Sequence, residues 1–257
     1  MVEDKNALLV ESKGAIVHLM LNRPEKRNAL NDATIAALDG FFSNVPETAR
    51  AVVISGAGGH FSSGLDLSEQ VHRQPLDVMA HSRNWHRVMD AMQYSRVPII
   101  AALNGAVMGG GLEMAAACHV RVAEHNVQFR MPEGMRGIFV GGGGSVRIAK
   151  LIGDDRLMEM MLTGRIYSGA EGERVGLAHY ALSDGSALDK AFELAERIAE
   201  NSPTINQFII HAISRIGTMA PEAGLYAESL AAALSQTGPD AEEGLNAFLE
   251  KRKPVFR

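Results

Sequence analysis

The chain has 257 residues, 46% hydrophobic and 21% charged, the composition of a globular protein large enough to bury a sizeable core. Its formal net charge of −5 lacks the basic surplus that a nucleic-acid binder carries. The single cysteine, Cys118, excludes an intramolecular disulfide framework, fits a reducing compartment and reads as a small core residue.

No stretch reaches the roughly 18 uninterrupted apolar residues of a membrane span. The opening MVEDKNALLV is mixed in charge and shows no signal-peptide pattern. A soluble, cytoplasmic protein is expected.

In chain order, GAIVHLMLNRP alternates like a strand, with apolar residues on both faces, so both faces are expected to be covered; Pro24 ends it. Helical spacing follows from Asp32 to Phe42, with Ile35, Leu38, Phe41 and Phe42 inward. The β-branched run ARAVVISG is closed by a glycine-rich loop. A long helix is predicted over Pro75–Tyr94, then a buried strand at VPIIAALNG, a helix at GGGLEMAAAC and strands within HVRVAEHNVQFR. The alternation of strand, strand and helix points to stacked ββα units. Beyond Gly141 nearly everything has helical periodicity. The last helix, DAEEGLNAFLEKRKPVF, reads acids first and bases last, as the helix dipole favours.

Several motifs are missing: G-x-G-x-x-G, the P-loop lysine, H-E-x-x-H and G-x-S-x-G. The nine histidines form no persuasive metal-ligand pair, His81 and His86 included, so no metal is expected and a dinucleotide enzyme, a nucleoside triphosphatase, a zinc protease and a serine hydrolase all lose weight.

Three clusters carry chemistry. In HFSSGLDLSE, Gly64 lets the backbone turn and point the next N–H outward, although the segment alone also reads as a loop capped by Asp66 or Ser68. In NGAVMGGGLEM, glycines at a helix start leave N–H groups free, and Glu113 sits about one turn after Gly110 among apolar neighbours. In FRMPEGMRGIFVGGGG, Glu133 lies between Pro132 and Gly134, where its side chain can be held in place. Two N–H groups can stabilise an enolate oxygen, one carboxylate can activate water and another can supply a proton. That set suits addition of water to a double bond conjugated to a carbonyl, best a thioester.

With these residues in view, the chain resembles the crotonase (enoyl-CoA hydratase/isomerase) family almost end to end. The motifs carrying the resemblance are LNRPEKRNAL, FSSGLDL, NGAVMGGGLEMAAAC, MPEGMRGIFVGGGGSVRIAKLIG and EEGLNAFLEKRKPVF, in order. The resemblance implies an α/β fold, a crotonase-like spiral of ββα units with a helical C-terminal extension. A spiral core would occupy residues 1–200 and a helical trimerisation region 201–257, giving a homotrimer or a hexamer.

It also implies an acyl-CoA substrate, no cofactor beyond the coenzyme A of that substrate, and no nucleic-acid or membrane partner. Leu65 and Gly110 would supply the oxyanion-hole amides. Glu113 matches the hydratase glutamate that activates water, and Glu133 the one that exchanges the α-carbon proton. Lys26, Arg27, Ala29, Ser63, Asp66 and Leu67 would contact coenzyme A. The basic residues Arg23, Lys26 and Arg27, with Lys251–Lys253, could attract its phosphates or simply be solvated charges.

Both glutamates are present, and Gly141 stands where dienoyl isomerases and aryl dehalogenases place an aspartate, which favours hydration over isomerisation or thioester hydrolysis. A non-catalytic or RNA-binding relative is the remaining alternative. Val140 departs from the proline of many hydratases and leaves the acyl preference open. Met79, Trp85, His86 and Met89 lie on the helix that would border the acyl group, where ordinary packing is the simpler reading.

Overall fold

The computed structural model describes residues 7–69 and 73–256; the opening hexapeptide read above for a leader lies outside the described residues. Among the described residues there are nine strands: β1 (Leu8–Lys13), β2 (Ile16–Leu21), β3 (Ala51–Gly56), β4 (Ile99–Leu103), β5 (Ala106–Met108), β6 (Val120–Ala123), β7 (Gln128–Arg130), β8 (Tyr167–Ser168) and β9 (Tyr180–Ala181). Six form one sheet in the order β1-β2-β3-β4-β6-β9, parallel except for the β1–β2 hairpin. The other three form a smaller sheet, β5-β7-β8.

The spiral is visible in how these layers alternate. After β4 the chain steps to β5 in the smaller sheet, and after β6 to β7, with β5 and β7 parallel. After β3, Ser62 bridges Val107 of β5, and Leu65 bridges Leu30 of the preceding turn. Successive turns therefore stack the segments around 30, 62–65, 107 and 129 beside one another. Loops from different turns are thus neighbours in space although far apart in sequence.

The helices begin where local chemistry permits. Helix α1 (Asp32–Ser43) is capped by the Asn31 side chain, which accepts from the Thr34 N–H at 2.9 Å. Helix α2 (Pro75–Gln93) has proline in its first turn, and α3 spans Gly110–Ala116. Next come α4 (Gly144–Ile152), α5 (Asp154–Thr163) and α6 (Gly169–Val175), the last opened by a Ser168–Glu171 capping box. Helix α7 (Ala187–Ala199) is capped by Ser186, and α8 (Pro203–Phe208) runs through a π turn into α9 (Ser214–Ile216). Helices α10 (Pro221–Gln236) and α11 (Pro239–Leu249) end the chain.

As the two-sided apolar pattern of β2 predicts, both faces of the large sheet are covered. Leu19, Ile54 and Leu103 pack with Val88 and Met89 of α2 and with Leu112 of α3, whereas Ile16, Val53, Ile100 and Val122 pack on Ala191 and Leu194 of α7. Cys118 is buried in the first of these clusters, and burial pushes its thiol up to about 12.

The structure corrects three expectations. Strands β8 and β9 interrupt the half of the chain read as helical; each is two residues long, too short to show a period. The last helix stops at Leu249, so Lys251–Lys253 lie beyond it, and Arg252 instead pairs with Glu243 and Glu250, both at 2.6 Å. Arg23, read as a surface charge, is buried and bonded to Asp66.

Helices α10 and α11 leave Leu225, Tyr226, Leu230, Leu234, Leu245 and Phe248 exposed. Among the described residues no helix is long and apolar enough to cross a membrane.

Candidate active site

The first wall is made by two loops. Asn28, held at a positive φ of 54°, donates through its side-chain amide to the carbonyls of Ala57 (2.9 Å) and His60 (2.7 Å), tying the loop after β2 to that after β3. The Leu30 N–H then donates to Gly64 O, and the Asp66 N–H to Leu30 O. In a parallel bridge of this kind the intervening residue turns its own N–H to the opposite side, so the Leu65 amide faces away from the ladder. Gly64 sits at a φ of +91°, and a Cβ there would lie 2.6 Å from Met108 O and 3.0 Å from Gly110 N. Only glycine fits.

Across this contact, a Cβ on Gly110 would lie 3.3 Å from Leu65 N. Gly110 is the first residue of α3, where an N–H has no intrahelical acceptor. Neither the Leu65 nor the Gly110 amide donates to a protein acceptor among the described residues. Two free N–H groups thus stand side by side.

Glu113, on the first turn of α3, is 3% exposed. Its Oε1 accepts the N–H of Gly142 at 2.9 Å and of Gly144 at 2.7 Å. A side chain at either glycine would collide with this carboxylate, since a Cβ on Gly142 lies 2.8 Å from Oε2 and one on Gly144 2.9 Å from Oε1. Burial outweighs the rest and raises this carboxyl above its ordinary value, with the Gly144 and Gly142 amides and the charge of Arg147 opposing the rise. The amides bond to the ionised form and so favour it.

Glu133, 6% exposed, follows β7 and lies over Gly109, whose Cβ would be 2.9 Å from Oε1. Its Oε2 is buried without a hydrogen-bond partner among the described residues. Burial, aided by the negative charge of Glu113 and opposed by its own backbone N–H and Arg136, raises this carboxyl to about 7. Two glutamates, one with its anion solvated by amides and one without, meet in one small cleft of about 50 Å³. Ser63, Leu65, Leu67, Gly110, Val140 and Gly141 also line it.

Of the residues expected at coenzyme A, Ser63 and Leu67 line this cleft, and Lys26, Arg27, Ala29 and Asp66 do not. Asp66 is buried and takes bonds from Ser68 (2.6 Å), Lys26 (2.9 Å) and Arg23 (3.0 Å). Burial acts to raise its carboxyl, but those bonds together hold it well below the usual range. Lys26 is therefore already paired. Ala29 is buried and its carbonyl accepts from Arg23 at 2.7 Å, while Arg27 is exposed at the loop tip.

On α2, Met89 is fully buried in the core, Met79 and His86 are exposed, and Trp85 packs against the site from behind. The Trp85 ring lies 2.8 Å from a Cβ built on Gly110 and 3.0 Å from one on Gly142, and its N–H donates to His81, itself bonded to Asp32.

The sequence does not announce the amides of Gly142 and Gly144 as partners of Glu113, nor Arg147 as a charge acting on it. A run of four glycines before a helix was the available signal, but its partner lies 29–31 residues away. Among the described residues no group of three or more His, Cys, Asp or Glu side chains could hold a metal ion.

Comparison with known proteins shows the family. A family model described as enoyl-CoA hydratase/isomerase matches residues 11–257. A crystal structure from Rhodopseudomonas palustris CGA009 superposes with a TM-score of 0.95 at 50% identity, covering 98% of this chain and 97% of that one. The 2,3-dehydroadipyl-CoA hydratase of Escherichia coli is 33% identical over 254 residues, 97% of this chain and 98% of its own. The short-chain-enoyl-CoA hydratase of Clostridium acetobutylicum is 30% identical over 251 residues, 96% of each. The match from residue 11 to the end and the spiral fold place this chain in the enoyl-CoA hydratase/isomerase, or crotonase, family.

Proposed function

We propose that the protein is an enoyl-CoA hydratase, adding water across the 2,3-double bond of a 2-enoyl-CoA and reversibly dehydrating the 3-hydroxyacyl-CoA. The contrast between the two glutamates carries this reading. A hydratase needs one carboxylate ionised to accept a proton from water and one carboxylic acid to deliver a proton to carbon. Glu113, whose anion is bonded by two amides, suits the first role; Glu133, with a buried unpartnered oxygen, suits the second.

In this mechanism the thioester oxygen sits between the Leu65 and Gly110 amides. Water on Glu113 attacks C3, giving its proton to Glu113, and the C2=C3 electrons move into the carbonyl. The negative charge of the resulting enolate is stabilised by the two N–H groups. Glu133 then protonates C2, and proton exchange with solvent restores both carboxyls. Both glutamates line one cleft, which supports addition from a single face of the double bond.

Coenzyme A is the only cofactor-like group the reading requires, and it arrives with the substrate. Ser63, Leu67 and the exposed Arg27 are the nearest of the expected residues available to it, while Lys26 would have to share its charge with Asp66. The exposed apolar residues of α10 and α11 support self-association, as a trimer or hexamer, through residues 201–257. A cytoplasmic location fits the single buried thiol.

The deciding test is crotonyl-CoA with purified protein, following loss of the conjugated enoyl-thioester absorbance and identifying the product. Formation of 3-hydroxybutyryl-CoA by the wild type and its loss in Glu133→Gln supports the reading. An isomerised or hydrolysed product, or no turnover of short, longer or aromatic enoyl thioesters, refutes it.

A further inference from the structure

Behind the cleft, on the far side of the 141–144 loop from Glu113, the loop is fastened to α2. Ser82 Oγ donates to Gly141 O at 2.7 Å. Arg147, on the first turns of α4, makes the larger attachment. Its Nε donates to Gln93 Oε1 at 2.6 Å, one terminal nitrogen donates to Gly142 O at 3.2 Å, and the other pairs with Asp90. The guanidinium lies directly over Gly143, where a Cβ would collide with it; Gly143 has a φ of +102°. The side chain is only 10% exposed, and the fork has an acceptor in each direction.

The peptide groups on the two sides of this loop thus have opposite duties. The Gly142 and Gly144 N–H groups point to Glu113, and the Gly142 carbonyl points back to Arg147. A loop of four glycines has little conformational preference of its own, so something else must fix it. We propose that Arg147 is a positioning residue of the active site: anchored to α2 by Asp90 and Gln93, it holds the glycine loop so that both amides remain on Glu113 Oε1. The inference rests on the reading of Glu113 as the residue that activates water.

Arg147 from α4 acts on Glu113 through its charge, Glu133 and Arg136 from the segment after β7 share its cleft, and His86 and Asp90 from α2 line the far side of the loop with Arg147. Of these, Arg147 both favours the Glu113 anion by its charge and fastens the loop that solvates it. Removing it should therefore change protonation as well as rate. A merely structural tie between α2 and α4 would lower thermal stability without moving either.

The experiment compares wild type, Arg147→Gln and Arg147→Lys by kcat and KM for crotonyl-CoA across pH, with thermal melts alongside. Arg147→Gln is expected to lower kcat roughly tenfold or more with KM nearly unchanged. It should also shift the acidic limb upward by about half a pH unit or more. Arg147→Lys, which keeps the charge but not the fork, should leave the limb in place and still lose kcat about threefold or more. A folded Arg147→Gln protein with kcat within about twofold of wild type and an unmoved limb overturns the proposal. If Arg147→Gln does not fold, an Arg147→Lys protein with wild-type kcat overturns it.

Infrared difference spectra separate this from failure of the hydratase reading. The Glu113 carboxyl band, assigned by its loss in Glu113→Gln, can be titrated in protein without substrate. If wild type turns over no enoyl-CoA, the hydratase reading fails. The clamp then stands if Arg147→Gln alters that band or its titration, or, where Gln does not fold, if the Lys variant shifts the band itself with its titration in place, and it falls if the band stays unchanged.

Discussion

Glu113 and Glu133 face one cleft with opposite surroundings: Oε1 of Glu113 accepts two backbone amides, whereas Oε2 of Glu133 is buried with no hydrogen-bond partner among the described residues. The first arrangement solvates an anion and the second penalises one. Because the Glu113 charge also raises the Glu133 carboxyl, the two are expected to titrate as a coupled pair.

Replacing either carboxylate by its amide tests the division of labour. Glu113→Gln and Glu133→Gln are each expected to lower kcat for hydration by about 10²–10⁴-fold, with a much smaller change in KM. The double variant should be little worse than the poorer single one, as groups acting in one step are not additive. Steady-state kinetics of the three proteins decides the matter.

The pH profile follows from Glu133 acting as the acid. With its carboxyl raised to about 7, kcat/KM for hydration should fall above about pH 7, where the free enzyme loses that proton. The same limb must be missing from the residual activity of Glu133→Gln. A flat profile up to pH 9 in the wild type would contradict the assignment.

Stability gives an independent reading of the same group. The folded carboxyl titrates at about 7 against an unfolded value of 4.5, so between these pH values the folded state holds a proton that the unfolded chain has lost. Stability therefore declines as pH rises through that window. Glu133→Gln should be more stable than wild type at pH 8 by about 1–3 kcal/mol and should lose that advantage at pH 4. Urea denaturation at the two pH values measures it.

The oxyanion amides predict a contrast between neighbours. Gly64→Ala forces a Cβ to within 2.6 Å of Met108 O and 3.0 Å of Gly110 N, so the two loops must separate. A loss of about 1–3 kcal/mol of stability and about 10²-fold in kcat is expected. Leu65→Ala keeps its amide and should retain kcat within several-fold. Melting curves and kinetics on both variants make the comparison.

Much of the molecule could be read from short-range signals. The alternation in β2 and the helical spacing behind α1 and α2 act within one strand or a few turns of themselves. The early strands and helices and the covered sheet were legible for that reason, whereas the four residues proposed for the chemistry stood out as glycines and carboxylates in apolar or constrained surroundings and took their roles from the family resemblance. Strands β8 and β9 were not, because two residues carry no period and their place is set by the strands they pair with.

Charge and protonation at the site were decided by the tertiary structure alone. Glu113 is acidic in any conformation, but here burial raises its carboxyl and amides 29 and 31 residues away oppose that rise. Lys26 and Arg23 looked like solvated cations until the loop around Asp66, some 40 residues on, supplied a buried partner. Glu133 becomes a neutral-range acid only when burial strips its water and leaves an oxygen unpartnered. By itself the sequence determined which groups this protein has and the local elements that carry them. Only the stacking of spiral turns decided which of those groups meet away from water, where the energy of a charge depends on its neighbours rather than on solvent.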